Sequence, residues 1–229
     1  MNDIVYILRQ GKNEELRYSL RSVEKNFPYK RVWFFGGKPD GLKPDMFVRV
    51  FQEGDTKWQK VRNTLLQVCQ DDRITDDFWL FNDDFFIMKK VEKPVNYYDG
   101  TLAQRINQIE AVLFGRSSAY SLQLRHLLET LKRAGIQEPL NYAHHTPMLI
   151  NRKRMFETLE AYQNEPMFRA LYGNINKIGG EQMADVKFYQ KRQPFPIGTY
   201  ASTADESWQT EKIGQIIRGK FACKSRFEI

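Results

Sequence analysis

Two adjacent carboxylates follow an amide in the stretch FWLFNDDFFI, at positions 78 to 87, just where a hydrophobic run ends. Asp83 and Asp84 would repel each other and lose solvation at the end of a buried strand unless a cation or hydrogen-bond donors compensate them. Mg²⁺ and Mn²⁺ prefer oxygen ligands and commonly combine one or two protein carboxylates with the phosphate oxygens of a substrate. The pair predicts a site for Mn²⁺ or Mg²⁺, with Asn82 beside it. A simple turn is the alternative, because Asn and Asp also end strands.

A second chemistry-bearing stretch is NYAHHTPMLINR, at 141 to 152, which holds two of the three histidines. A histidine near pH 7 can accept a proton from a hydroxyl group, orient a phosphate or bind a metal. Vicinal side chains do not easily face one site, so at most one of His144 and His145 is expected to be catalytic. A packed or surface pair is the alternative.

The elements that must position these residues follow an alternating pattern in the first half of the chain. Short apolar runs predict strands at 3–8, 31–35, 47–51 and 77–81. Apolar residues at helical spacing predict one helix that follows Asn13 as its N-cap and a second over 56–70. Such alternation is typical of a mostly parallel sheet covered by helices, with its ligand crevice beyond the carboxyl ends of the strands. Asn82, Asp83 and Asp84 follow such an end.

After Pro94 the apolar spacing becomes helical, and it predicts helices within 101–114, 118–135 and 152–163. The stretch from residue 191 onward is rich in proline, glycine and serine, which predicts loop. No internal repeat or linker divides the chain, so the sequence predicts one domain over 1–229, with an α/β half at 1–93 and a mainly helical half at 94–229.

Composition narrows the classes of protein further. Lys and Arg number 35 against 28 Asp and Glu, a net charge of +7 that favours an anionic partner without naming it. The two cysteines are too few for a disulfide framework, which suits a reducing compartment. No apolar run reaches the length that crosses a bilayer, and no leader pattern precedes the first strand, so the expectation is a cytoplasmic protein without a transmembrane segment.

Five segments, in order along the chain, resemble motifs of the Stealth family. These are DIVYIL, EELRYSLRSVEK, FWLFNDDFF, HHTPMLINR and the ending KSRFE. The family consists of sugar-phosphate transferases of capsule synthesis related to the lysosomal-enzyme GlcNAc-phosphotransferase. The third family region aligns its histidine with His145 and its arginine with Arg152.

The resemblance implies a GT-A-like, Rossmann-type fold in which 1–93 binds nucleotide and metal and 94–229 forms the acceptor and catalytic half. It implies transfer of a sugar or a hexose 1-phosphate from a nucleotide sugar, a UDP-sugar by expectation, to an acceptor hydroxyl. Asp83 and Asp84 would hold Mn²⁺ or Mg²⁺, and His145 would act as base or hydrogen-bond donor. Residues expected to bind or act on substrate are Asp3, Arg17, Arg21, Arg62, Asn82, Asp84 and Arg152.

The sequence leaves open which group is transferred, which acceptor receives it and whether the protein is an enzyme. Attack on phosphorus would move a sugar phosphate, whereas attack on the anomeric carbon would move the sugar alone, and both need the same cradle for the diphosphate. The acceptor would be a glycan or another hydroxyl compound, and the basic balance leaves room for a modified base in DNA. A protein of this fold that only binds sugar nucleotides or polyanions, without catalysis, is the alternative outside the enzymes.

Overall fold

The computed structural model describes residues 1–189 and 197–229. The chain forms two compact units, one made of Met1–Pro94, His145–Arg152 and Val186–Ile229 and the other of Val95–His144 and Lys153–Asp185. The strands are β1 (Asp3–Leu8), β2 (Val32–Gly36), β3 (Met46–Arg49), β4 (Asp77–Phe81), β5 (Phe85–Ile87), β6 (Tyr97–Tyr98), β7 (Met148–Asn151), β8 (Glu181–Gln182), β9 (Lys187–Phe188) and β10 (Tyr200–Thr203). The helices are α1 (Glu14–Asn26), α2 (Lys57–Gln70), α3 (Leu102–Val112), α4 (Ala119–Arg133), α5 (Arg152–Ala161), α6 (Phe168–Ile175), α7 (Asp205–Thr210) and α8 (Lys212–Lys220).

The first unit is built on a five-stranded sheet with the strand order β3-β2-β1-β4-β7. All neighbours in this sheet run parallel except β7, which pairs antiparallel with β4. The side chains of β2 are buried throughout, as are those of β1 apart from the half-buried Ile7, so both faces of these strands are covered. The predicted α/β class, with a mostly parallel central sheet flanked by helices, is confirmed. Its four parallel strands end at one edge.

Helix α1 begins where the sequence predicts it. The Asn13 side chain accepts a hydrogen bond from the Leu16 amide at 2.9 Å, which satisfies one of the free donors of the first turn. Leu16, Leu20 and Val23 are completely buried on one face of the helix. Helix α2 has its own capping box, in which Thr56 and Gln59 exchange hydrogen bonds. Local signals therefore define both helices that follow the first strands.

A second, three-stranded sheet of the first unit has the order β5-β10-β9. The prediction of loop from residue 191 onward is wrong for this strand and for α7 and α8, while positions 190–196 lie outside the described residues. Strand β10 is buried along its whole length because it pairs with β5 on one side and β9 on the other. Trp208 of α7 and Ile217 of α8 pack in one core cluster with Phe86 of β5. Long-range pairing thus overrides the local proline and glycine signal.

The second unit contains α3, α4, α6, most of α5 and a two-stranded parallel ribbon of β6 and β8. Leu124, Leu127 and Leu131 form the fully buried stripe of α4. Among the helices of the described residues, none combines the length and the hydrophobicity that crossing a bilayer requires.

Candidate active site

The three polar residues after β4 form the turn by which the chain leaves the central sheet and enters the second one. The Phe85 amide donates to the Asn82 carbonyl at 3.3 Å, which closes the turn, and β5 begins at once. Phe81 and Phe85, on either side, are buried. Hydrophobic neighbours therefore fix the backbone, and the side chains of Asn82, Asp83 and Asp84 all line one pocket.

Asp83 is held by the residue that caps α1. The Asn13 amide Nδ2 donates to Asp83 Oδ2 at 2.6 Å while its Oδ1 caps the helix. Burial and then the neighbouring Asp84 raise the pKa of the Asp83 carboxyl above its ordinary value. The hydrogen bond from Asn13 lowers this pKa only in part, so negative charge at Asp83 remains incompletely compensated.

Asp84 lies next to a cation from the second sheet. Lys187 Nζ is 3.0 Å from Asp84 Oδ2, and the Ser202 hydroxyl donates to the same oxygen at 2.7 Å. Lys187 and Ser202 face each other in the β9–β10 register, so one pair of strands delivers both donors. Two contacts on one oxygen fix the orientation of this carboxylate.

Glu15 adds a third acid to the pocket. Its Oε1 accepts a hydrogen bond from the Thr203 hydroxyl at 2.5 Å. Burial first, and then the charges of Asp84, Asp83 and Asp205, raise the pKa of Glu15 to about 7, against the opposing effect of the hydrogen bond from Thr203. A carboxyl that titrates near neutrality can accept a proton during a reaction at that pH.

The pocket has a volume of about 510 Å³ and carries both signs of charge. Five acids line it together with four cations, which are Arg9, Lys12, Lys57 and Lys187. The amino ends of α1 and α2 both reach it, through Asn13 and Lys57. Free backbone N–H groups and the helix dipole favour anions at such ends. The arrangement suits a ligand whose negative groups meet the lysines and whose bound cation meets the carboxylates.

Trp208 forms a rigid wall of the same pocket. Its ring stacks on Phe86 with an interplanar angle of 5°, and its Nε1 donates to Glu14 Oε2 at 2.9 Å. The Arg218 guanidinium covers the ring at 4.7 Å from its centroid. The carboxylate of Glu14 therefore serves to fix the Trp208 ring.

The chemistry of the donors around Asp83 and Asp84 fits a Mg²⁺ or Mn²⁺ ion. Both are hard oxygen donors. Burial first, and then the neighbouring carboxylates, raise the pKa values of Asp83 and Glu15, and a cation bound beside them would favour their charged forms. Within residues 1–189 and 197–229, no group of three or more His, Cys, Asp or Glu side chains is arranged to hold a metal. A two-carboxylate site that is completed by water and phosphate oxygens is usual for Mg²⁺.

Two other predicted site residues lie at the opposite edge of the central sheet. Asp3 opens β1 and is completely buried, and Arg31 donates to both of its oxygens, at 3.1 and 2.7 Å. Arg152 follows β7 and donates to the carbonyls of Cys69 and Asp71 and to the side chain of Asp76. Asp3 pairs with the start of β4, because β1 and β4 are parallel. Arg152 lies at the same end, because β7 runs antiparallel to β4 and its last residue pairs with Asp77.

Arg17 and Arg21 line a neighbouring pocket of about 380 Å³ that shares Lys12, Asn13 and Glu14 with the first. Arg21 donates to both oxygens of Glu228 and to the carbonyls of Phe221 and Ala222. Arg17 Nη1 is 3.8 Å from the same carboxylate, and 40% of its side chain is exposed. Arg17 therefore has freedom to meet a ligand, whereas Arg21 is committed to the C-terminal segment.

Among residues 1–189 and 197–229, those that line the main pocket include neither a histidine nor Arg62. His145 packs edge-to-face on Phe85, the residue after Asp84, with ring centroids 6.5 Å apart. His144 is buried, and its Nε2 lies 3.1 Å from the Met183 carbonyl. Burial lowers the pKa of His144 below its ordinary value. Arg62 is buried on α2, with Nη1 3.4 Å from the Asn63 side chain.

Several pocket residues escaped the sequence reasoning. The helix dipole alone is enough to account for an acid at Glu15, in the first turn of α1. Lys187, Thr203 and Trp208 lie far along the chain, next to or within a stretch predicted as loop. Of these four residues only Glu15 carries a usable signal, because an acid in the first turn of a helix that begins at the carboxyl edge of a sheet can face the ligand crevice.

No protein-family model matches the chain, and neither does any curated protein sequence. Among solved structures, the chain is similar to the galactosyltransferase LgtC in complex with donor and acceptor sugar analogues. That similarity has a TM-score of 0.51 and 9% identity, and it covers 97% of this chain and 96% of the other. The chain has a GT-A glycosyltransferase fold. Mouse xyloside xylosyltransferase 1 in its apo form also matches, with a TM-score of 0.37 and 8% identity over 99% of this chain and 96% of that one.

The GT-A fold agrees with the fold that the Stealth resemblance implied, but membership of that family stays a prediction because no family model matches.

Replacing Glu15 with glutamine is expected to change how stability depends on pH. A carboxyl whose pKa rises from 4.5 to about 7 on folding binds more protons in the folded state between these values. The free energy of unfolding of the wild type therefore falls as the pH rises through this window, and Asp83, whose pKa is also raised, contributes in the same direction. In the Glu15→Gln variant the free energy of unfolding should fall much less over this window. The measurement is urea unfolding of both proteins at a mildly acidic and a mildly alkaline pH. An identical fall in both proteins would contradict the assignment.

Proposed function

We propose that the chain is a transferase that moves a sugar, or a sugar phosphate, from a nucleotide sugar to an acceptor hydroxyl. The observation that carries this proposal is a single pocket with Asp83, Asp84 and Glu15 facing four cations at the carboxyl edge of a GT-A sheet. Ligands of open α/β sheets bind at such an edge. The proposal treats 1–229 as one transferase domain, and a UDP-sugar is the donor to try first.

The diphosphate of the donor is proposed to lie among Lys12, Lys57 and Arg9, near the amino ends of α1 and α2. These groups supply positive charge and free N–H donors from two directions, which matches the spread of charge on a diphosphate. Asn82, at the rim, offers an amide that can bind a neighbouring hydroxyl or phosphate oxygen. Arg17, in the adjoining pocket, is the further arginine available to the ligand.

Asp83 and Asp84 are proposed to hold Mg²⁺ or Mn²⁺ together with the diphosphate. The ion would neutralise the charge that develops on the leaving group. Asn13 fixes Asp83, while Lys187 and Ser202 fix Asp84, so both carboxylates are oriented before the donor arrives. Preorganised charge of this kind lowers the cost of reaching the transition state.

Two side chains of this unit are candidates to accept the proton of the acceptor hydroxyl. Glu15 lines the pocket, and its pKa of about 7 suits a base at neutral pH. His145, the base implied by the family resemblance, packs against Phe85, which follows Asp84. We rank Glu15 first because it already faces the space in which the donor would lie. Asp3, Arg21 and Arg152 are left out of the proposed binding set because Arg31, Glu228 and Asp76, respectively, hold them elsewhere. Arg62 is left out because it does not line the pocket that the described residues form.

The test is to incubate the purified protein with Mn²⁺ and a panel of nucleotide sugars and to identify the nucleotide released. A nucleoside monophosphate would establish sugar-phosphate transfer, and a nucleoside diphosphate would establish transfer of the sugar alone. We expect one of these products, a loss of turnover when the metal is chelated, and its recovery when Mn²⁺ or Mg²⁺ is restored.

Calorimetric titration with the same nucleotide sugars measures binding alone, and its result is compared with nucleotide release to separate binding from catalysis. Tight binding without release of any nucleotide, with glycan, lipid-linked and DNA acceptors all supplied, would overturn the proposal in favour of a sugar-nucleotide binding protein. Full turnover in the presence of chelator would overturn the metal part alone.

A further inference from the structure

The tip of the hairpin between α3 and α4, at residues 111–122, exposes an unusual concentration of large apolar side chains. Phe114 is 96% exposed, Val112 76% and Leu122 55%, and Leu113 and Tyr120 are exposed as well. The tip thus holds five of the eleven large apolar side chains exposed among the described residues. Single exposed apolar residues are ordinary, but a contiguous group of this kind marks an interaction surface.

These side chains are exposed because the hairpin extends beyond the positions at which it packs. Helix α3 buries Leu102 and Ile106 but nothing in its last turn, and the buried stripe of α4 begins at Ser121. Every residue from 111 to 117 is exposed. The apolar tip therefore contributes nothing to the core of its unit, and its composition calls for another explanation.

Hydrogen bonds give the tip a defined shape. The Gly115 amide donates to the Glu110 carbonyl at 2.8 Å and closes α3, with Phe114 in the left-handed region at a φ of 53°. Ser118 caps α4 in a capping box with Ser121. A left-handed backbone is costly for a large aromatic residue, so the turn holds Phe114 outward at some expense in stability.

The charge of the tip indicates which kind of surface it would bind. Arg116 is the only charged residue between 111 and 122, and it is exposed. The acid nearest along the chain, Glu110, is paired with Arg125 and accepts a further hydrogen bond from Ser117 at 3.0 Å. An apolar tip with aromatic residues and one exposed arginine matches a bilayer with anionic headgroups, where apolar side chains enter the acyl boundary and arginine meets phosphate.

We propose that the tip of the α3–α4 hairpin docks this protein on the surface of an anionic lipid bilayer. Phe114, Leu113 and Val112 enter the interface together with Leu122, and Arg116 binds the headgroups. The tip lies wholly within the second unit, so the proposal is independent of the transferase chemistry proposed for the first.

The test uses the full chain and sedimentation with vesicles of phosphatidylcholine, either alone or mixed with phosphatidylserine. We expect binding to the mixed vesicles, weakened by salt, and much less binding to phosphatidylcholine alone. Because burial of a phenylalanine side chain is lost, Phe114→Ser should weaken binding at least about tenfold. Leu122→Ser, on the other helix, should also weaken it and does not disturb the backbone at Phe114.

The matched control is Phe51→Ser, which removes a phenylalanine of the first unit that is 78% exposed, and it should bind like the wild type. Absence of vesicle binding by the wild type, or equal binding by wild type, Phe114→Ser and Leu122→Ser, would overturn the proposal. Sedimentation velocity tests whether a second copy of the chain binds this surface instead. A dimer that Phe114→Ser dissociates, without any binding to vesicles, would assign the tip to contact between copies of the chain instead.

Discussion

Replacing Asp84 with asparagine is expected to lower turnover of a nucleotide sugar by at least about 100-fold. The amide keeps the size of the side chain and its hydrogen bond with Ser202, but it removes the negative charge that faces Lys187 and would face a bound cation. Asp83→Asn should have an effect of similar size, because its carboxylate belongs to the same pair. The measurement is the rate of nucleotide release with saturating Mn²⁺.

Asp77→Asn is the matched control, since it changes a carboxylate at the other end of β4. Asp77 accepts a hydrogen bond from Asn151 at an exposed position, and it should keep the turnover of the wild type. Unchanged turnover in both Asp83→Asn and Asp84→Asn would remove these carboxylates from the proposed mechanism. Binding of Mn²⁺ by calorimetry provides a second readout, which should weaken in both variants even where the donor still binds.

Replacing Arg21 with methionine is expected to lower the free energy of unfolding by about 3–5 kcal/mol, because it leaves a buried carboxylate without its partner. The side chains of Arg21 and Glu228 are only 8% and 2% exposed, and their closest contact is 2.6 Å. Burial alone would raise the pKa of Glu228, but hydrogen bonds from Arg21 and the Ser225 amide hold it below its ordinary value. The stabilisation is present above the ordinary pKa of a glutamate and is lost as the pH falls through the lower, folded-state pKa.

A double-mutant cycle in urea unfolding tests this pair. Arg21→Met together with Glu228→Gln should cost clearly less than the sum of the two single changes, because the second change removes the stranded charge. The comparison is Arg226→Met, which breaks a bidentate pair with Asp45 whose side chains are 49% and 22% exposed, and it should cost at most about 1 kcal/mol. A cost for Arg21→Met no greater than that for Arg226→Met would contradict the expected role of the pair.

The elements predicted from sequence are those whose signals are local. Asn13 as N-cap and the apolar face of Leu16, Leu20 and Val23 identify α1 without any tertiary information. The end of β4 before Asn82 could be placed because a buried hydrophobic run gives way to three polar residues. Sequence also predicted the class of the sheet, since short apolar strands alternate with helices.

The part of the site that sequence did not predict depends on long-range pairing. Lys187 reaches Asp84 only because β9 joins β10 and β10 joins β5 directly after the turn. Nothing near Lys187 in the chain indicates a partner more than one hundred positions away. Asp3 and Arg152 illustrate the converse, because their residue types suit a nucleotide-sugar site but their strands place them at the edge of the sheet opposite Asp83.

Asn13 is a residue that two requirements restrict at once. Serine, threonine and aspartate are good substitutes at the start of a helix, yet this position needs an acceptor for the Leu16 amide and a donor for Asp83 in the same side chain. Aspartate would cap the helix but bring one more negative charge against Asp83, and the hydroxyl group of serine or threonine would have to serve both partners through one atom. Asparagine satisfies both, so a substitution at this position is expected to lose either the cap of α1 or the hydrogen bond to Asp83.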